Sequence, residues 1–142
     1  MAVLRNPALA DMEIKMGESR AHAVRKHAHP ELCLGFVEKG SSTIRCRALN
    51  NTMTEGQAIL IPPGAVHLCC PEDPERFNFT MIHISPAWFT RSFSMNPSDF
   101  LPGIAGIRRD LDRQRRHFTK RFASVADSMT LESEALCFIG AI

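Results

Sequence analysis

Tyrosine is absent from this sequence and tryptophan occurs once, so one common acid–base aromatic is missing from any site the chain builds. Long apolar runs are missing as well. No stretch reaches the length that crosses a bilayer, and Met1 to Ala10 breaks its apolar residues with Arg5, Asn6 and Pro7, unlike a secretory signal. A cytoplasmic protein without a membrane partner is expected. Paired cysteine motifs are lacking too. Cys33, Cys46, Cys69, Cys70 and Cys137 form an odd set with no CxxC, which gives a zinc ribbon or a redox dithiol no support. Reduced thiols serving as buried filler are the plain expectation, outright for Cys46 and Cys137. The net charge of +2 is too small to make the whole molecule a nucleic-acid binder. No GxSxG, P-loop or dinucleotide-type glycine pattern occurs, and Ser41 and Ser42 have no visible base partner. Nothing in the chain points to catalytic residues.

What is present fits one domain. The 142 residues are 44% apolar and 23% charged, enough for one sizeable core. Up to Ser85, short apolar runs alternate with turn signals such as Lys39-Gly40, Glu55-Gly56 and Pro62-Pro63-Gly64, which predicts antiparallel strands in a sandwich or barrel. Ser42, Ile44 and Cys46 alternate with Thr43, Arg45 and Arg47, giving a strand with one inward face. Residues 77–84 read as a strand buried on both faces. Beyond Ser85 the pattern turns helical. Ser85-Pro86 predicts an N-cap and first helical position, opening a helix through Phe93. Residues 96–103 read as a connector. From Ile104, the apolar residues Ile107, Leu111, Phe118, Phe122, Val125 and Met129 predict one amphipathic helix. A last helix is expected near Thr130, carrying Leu131, Ala135, Phe138, Ile139 and Ile142. Its apolar run to Ile142 gives the chain the look of one cut before its end.

The densest chemical signal lies between His27 and His67. His27 and His29 are two apart, so on an extended strand both imidazoles face one side. A third imidazole, His67, follows the turn Pro62-Pro63-Gly64, whose prolines fix φ and whose glycine relaxes backbone sterics so that the chain reverses.

His27-Ala28-His29, Gly40, and Gly56-x5-Pro62-x-Gly64-x2-His67 resemble the two motifs of the cupin superfamily. Metal-binding cupins place a glutamate four or five residues after the second histidine; here those positions hold Cys33 and Leu34. A narrower resemblance runs through Leu32–Gly40, Ala58–His67 and Met81–Phe89: these segments are similar to the N-terminal sensor domain of AraC-family transcriptional regulators. The resemblance implies a mainly β chain with C-terminal helices, built as a cupin-like double-stranded β-helix, or jelly-roll, barrel. It implies a sensor barrel over 1–85, with 1–16 as an N-terminal arm able to act as a lid. Residues 86–142 would be a helical tail used for homodimerisation. DNA would be bound only through a further domain with two helix-turn-helix motifs, lying outside this chain.

Within that frame the candidate effector-binding residues are His27, His29, Arg45 (or Arg47), His67 and His83, with a small molecule as the partner. His27, His29 and His67 are also candidate ligands for a divalent transition metal such as zinc, with Cys33 as a fourth and Glu31 as a weaker one. The same histidines in such regulators serve equally as pocket or turn residues without metal, and His83 serves equally as a hydrogen-bonded core residue. One of Cys69 and Cys70 should face the interior. The basic run Arg108, Arg109, Arg113, Arg115, Arg116, Lys120 and Arg121 is expected as a solvated helix face rather than a DNA contact. The function expected is effector sensing and dimerisation within a transcriptional regulator. The rival is a metal-dependent cupin enzyme of dioxygenase or isomerase type, holding its metal on the same three histidines. A third reading is a dimerisation module with an empty barrel.

Overall fold

The alternation at residues 42–46 and 77–84 is realised as two facing antiparallel β-sheets in a computed structural model, which describes residues 2–18, 25–124 and 127–142. With strands numbered in chain order, the larger sheet runs β1 (Ala2–Arg5), β2 (Met12–Glu18), β8 (Asn78–Ile84), β3 (Leu32–Lys39), β6 (Gln57–Ile61) and β9 (Gly103–Gly106) from edge to edge. The smaller runs β5 (Leu49–Thr54), β4 (Ser41–Cys46) and β7 (His67–Pro71). Residues paired across antiparallel strands point to the same face. One face of the larger sheet therefore carries Met12, Ile14, Ile82, Ile84, Leu32, Leu34 and Phe36, all buried in one cluster with the helices. The other face carries Cys33, Val37, Phe79, Ile59 and Ile61, which pack against Ile44, Cys46 and Met53 of the smaller sheet. The 77–84 segment is buried on both sides, as its sequence predicts.

The turn between β3 and β4 requires its glycine. Gly40 has φ +83°, and a Cβ there would stand 2.7 Å from the Arg76 carbonyl oxygen. On the outer face, α1 (Pro86–Phe93) opens with the Ser85 hydroxyl accepting from the Trp88 backbone N–H at 3.4 Å, as expected of Ser85-Pro86. Helices α2 (Arg109–Ser124) and α3 (Ser128–Gly140) pack together through Phe118 and Phe138, whose rings stack 5.6 Å apart. Phe138 also meets Phe36 of β3, and the Trp88 indole N–H donates to Glu132 at 3.2 Å.

Several expectations are corrected. The long helix does not begin at Ile104. Residues 103–106 form β9, with Ile104 opposite Ile59, because this short run between glycines completes the open edge of β6. The last helix starts at Ser128, where the Asp127 carboxylate accepts from the Met129 N–H at 3.1 Å. Met129 and Cys137 are exposed on the side of α3 away from Leu131, Ala135 and Phe138, and Ile142 is exposed beyond the end of the helix. Val125 lies outside the described residues. Residues 2–5 and 12–18 of the expected arm are strands of the larger sheet: Met12, Ile14 and Met16 turn toward the helices, β2 pairs with β8 along its whole length, and β1 pairs with β2. Met1 lies outside the described residues.

The basic run is solvated at Arg108, Arg109, Arg113, Arg116 and Lys120, but Arg115 is 3% exposed. Its guanidinium donates to both carboxylate oxygens of Glu38 at 2.5 and 3.2 Å and to Asp112 at 2.8 Å, over the Phe36 ring. This bidentate pair ties α2 to the end of β3. Without Arg115, Glu38 keeps the Thr80 hydroxyl at 2.8 Å and Arg116 at 3.6 Å but loses its bidentate partner. Arg115→Ala is therefore expected to lower the unfolding free energy by about 2 kcal/mol in urea denaturation, the worth of hydrogen bonds between charged groups. A loss below about 1 kcal/mol, the worth of an exposed pair, would contradict that role.

Candidate functional site

Register places polar residues at one end of the space between the sheets. In the larger sheet Glu13, His83 and Cys33 are direct cross-strand neighbours on β2, β8 and β3, so all three face inward in one row. In the smaller sheet His67 stands opposite Cys46. His27 extends that row by a bridge: its N–H donates to the His67 carbonyl at 3.0 Å, and the His67 N–H returns to the His27 carbonyl at 2.9 Å. The Pro62–Gly64 turn secures the neighbouring segment, with the Gly64 N–H donating to the His29 carbonyl at 2.8 Å. His29 thus spans the two rows. Its ring centroid lies 5.0 Å from that of His27, 5.4 Å from His67 and 4.8 Å from His83.

Four imidazoles therefore line one cavity of about 40 Å³, floored by Cys69, Phe79 and Met81 and flanked by Lys15. Beneath it lies a second cavity of about 40 Å³ with walls that include Ile44, Met53, Ile59 and Phe77. Gly35 leaves room there, because a Cβ at that position would stand 2.9 Å from Ile59. Ser42 lines the same cavity, and its hydroxyl oxygen is buried without a hydrogen-bond partner among the described residues. On the outer side, His83 also forms part of an open cleft of about 550 Å³ shared with Arg5, Asp11, Glu13 and Glu31.

The ring nitrogens have defined tasks. Nδ1 of His27 lies 2.9 Å from the Arg25 carbonyl oxygen, and Nδ1 of His67 lies 3.0 Å from that of Ala65. A carbonyl only accepts, so both Nδ1 atoms carry the proton and both Nε2 lone pairs remain available. This is the outer support that metal-ligating imidazoles use. Ligand atoms of His27, His29 and His67 lie within 4.8 Å of one another, as do those of His29, Cys33 and His83.

Burial favours the neutral form of His29, His67, His83, Cys33 and Cys69. It holds the His29 imidazole down at about 4, helped by repulsion from His83, His27 and His67. Burial also takes His83 to about 4, assisted by Lys15 and opposed by Glu13. His67 is lowered by burial, against its hydrogen bond to Ala65. Burial pushes the Cys33 thiol up to about 12 and the Cys69 thiol to about 11.

The three motif histidines and His83 converge as their spacing and parity suggested. Cys33 does not join His27 and His67 as a fourth ligand. Its register sets it opposite His83, Sγ to Nδ1 at 3.3 Å, so it groups with His83 and His29. Arg45 is not in the cavity either. It alternates with inward Ile44 and Cys46 and is exposed on the outer face of β4, while Arg47 is exposed in the following turn. Cys69 faces inward, with its neighbour Cys70 opposite Thr43 on the other face. Glu13 and Lys15 escaped the sequence reading, and Ser42, read there as one of the inward residues of its strand, was not singled out as a site residue. The first two are the odd members of the Met12-Ile14-Met16 alternation, a signal that becomes legible once that segment is a strand.

A family model described as the AraC-like ligand binding domain matches residues 10–138. No curated protein matches the chain. Among solved structures, apo ToxT from Vibrio cholerae, a lysine-to-alanine variant, is similar with a TM-score of 0.65 at 9% identity, over 96% of this chain and 55% of that one. ToxT from Vibrio cholerae O395 bound to (E)-4-(8-methylnaphthalen-1-yl)but-3-enoic acid gives 0.60 at 8% identity, over 93% and 56%. A cupin family protein with a double-stranded β-helix fold from Methanocaldococcus jannaschii gives 0.43 at 15% identity, over 52% and 68%. The chain spans about half the length of the ToxT chains it matches.

The depressed imidazoles set a pH dependence. His29 and His83 titrate near 4 in the fold against 6.5 when unfolded, so between those values the unfolded chain binds more protons. Stability from these groups is whole above pH 6.5, is lost as pH falls toward 4, and levels off below. Thermal melts in chelator at pH 7, 5.5 and 4.5 should show a falling midpoint, with a shallower fall in His83→Gln. A midpoint equally pH-dependent in that variant would contradict the assignment.

Proposed function

The chain belongs to the family of AraC-like ligand-binding domains, and from that premise we propose that it senses a small effector at the imidazole end of its barrel. The effector class favoured by the geometry is a divalent transition-metal ion such as zinc, held by His27, His29 and His67. One observation carries this reading: a ring nitrogen from each of His27, His29 and His67 lies within 4.8 Å of the others, while Nδ1 of His27 and of His67 is fixed on a backbone carbonyl, which leaves their Nε2 lone pairs free of that bond. Size agrees. Organic ligands occupy pockets of roughly 300–1,000 Å³, whereas this cavity holds about 40 Å³, room for an ion and its water. The rival of a metal-dependent enzyme would need its substrate in the open cleft that His83 borders, because the imidazole cavity itself leaves it little room.

Lys15 favours a second reading. Its ammonium among neutral imidazoles, above apolar walls, suits a small organic anion entering as the cavities open.

In the proposed regulator, 1–85 is the sensing part and 86–142 the dimerisation part, with β9 reaching back into the sheet. Exposed Met129 and Ile142 on and after α3 support a homodimer through these helices. DNA would be contacted by a domain outside these residues. Ligand occupancy would act by shifting the balance between arrangements of the helices, which requires different affinity for each arrangement.

Metal content and melting temperature test the reading. Protein refilled with zinc after chelation should retain one equivalent, gaining about 2.7 kcal/mol of stability when zinc is a hundredfold above its Kd. In a Cys33→Ser background, where the thiol cannot hold the ion, His67→Ala should lose this gain with its fold intact by circular dichroism. A gain that persists in that double variant, or stabilisation by small carboxylates and not by metals, would overturn the metal reading.

A further inference from the structure

His29 belongs to two ligand groups at once. One is the imidazole set with His27 and His67; the other unites His29 with Cys33 and His83, whose ligand atoms also lie within 4.8 Å of one another. Cys33 and His83 are 0% and 4% exposed and face each other directly across β3 and β8. Their Sγ and Nδ1 atoms are 3.3 Å apart. A tetrahedral zinc with Zn–S of about 2.3 Å and Zn–N of about 2.1 Å sets sulfur and nitrogen roughly 3.6 Å apart. The pair already stands within a few tenths of an ångström of that span.

We propose that His29, Cys33 and His83 form a second, thiophilic metal site, distinct from the set of His27, His29 and His67. It rests on the metal reading only in sharing His29. The ligand chemistry selects soft or borderline ions such as zinc over manganese, magnesium or calcium, because one sulfur and two imidazole nitrogens supply the donors. The carboxylate next in the row is already engaged: Glu13 is held by Arg5 at 2.6 Å and by Lys15 at 3.6 Å. An entry path exists, since His83 forms part of the wall of the open cleft.

Loading involves no redox change. The Cys33 S–H bond breaks, its proton passes to solvent, and the sulfur lone pair forms the bond to the ion. The contact between Cys33 and His83 gives way to two metal–ligand bonds. A neutral imidazole has one lone pair, so His29 serves one ion at a time and the two sites compete for it.

Cobalt(II) is the probe, because a thiolate ligand gives it a near-ultraviolet charge-transfer band that imidazoles alone do not. One equivalent of cobalt added to chelator-treated protein should produce that band. Cys33→Ser and Cys33→Ala should abolish it, His67→Gln should keep it, and zinc should bleach it by displacement. Cobalt bound without the band in wild-type protein would overturn the thiol site; if that cobalt were lost in His67→Gln, the imidazole site would stand alone. A band surviving both Cys33 variants would assign the thiolate to another cysteine and equally overturn the proposal. No bound cobalt at all would defeat both sites.

Discussion

The pairing of β3 with β8 governs the rest of the molecule. With Cys33 opposite His83 and Leu34 opposite Ile82, each strand sends one set of side chains toward the helices and the other between the sheets. A one-residue slip of β3 would reverse its two sets, driving Leu32, Leu34 and Phe36 into the barrel and Cys33 under the helices. The apolar set opposes that slip because it is buried against α1, α2 and α3 in one cluster. The helices therefore hold the site in register without touching it. The Arg115–Glu38 pair reinforces the same strand from its far end, where β3 meets α2.

Placing so many polar groups inside is tolerable because they are supported by hydrogen bonds. Backbone carbonyls accept hydrogen bonds from Nδ1 of His27 and His67, and Cys33 and His83 contact each other. Charge is confined to the rim, where Glu13 sits between Arg5 and Lys15. The interior is thus graded from a charged mouth, through neutral imidazoles and thiol, to apolar walls around Met53 and Phe77. Ser42 interrupts the apolar part with a hydroxyl that lacks a partner among the described residues, a group suited to a buried water or a polar atom of a ligand.

Much of this was legible from local pattern. The histidine pair and the Pro62–Gly64 turn specify direction over a few residues, and the parity of His83 with Phe79 and Met81 follows from its own strand. Spacing alone misled where the third dimension intervened. Cys33 follows His29 closely in sequence, yet cross-strand register gives it to His83. Arg45 shares no parity with its inward neighbours, so the alternation that identified its strand also turns it outward. Glu13 and Lys15 lay in a segment read as an arm, and β9 was absorbed into a helix because Ile104 and Ile107 happen to be three apart. Each of these depended on which strand edge was open, which only the assembled sheet decides.

The central claim is that His27, His29 and His67 present available ring nitrogens to one small volume. Multiple-bond proton–nitrogen NMR of the imidazoles reads that directly, before and after one equivalent of zinc. Metal-free protein at neutral pH should show His27 and His67 protonated at Nδ1, and zinc should shift the Nε2 resonances of both together with a His29 ring nitrogen. Nδ1 atoms without protons, or zinc that leaves those nitrogens in place, would contradict the account.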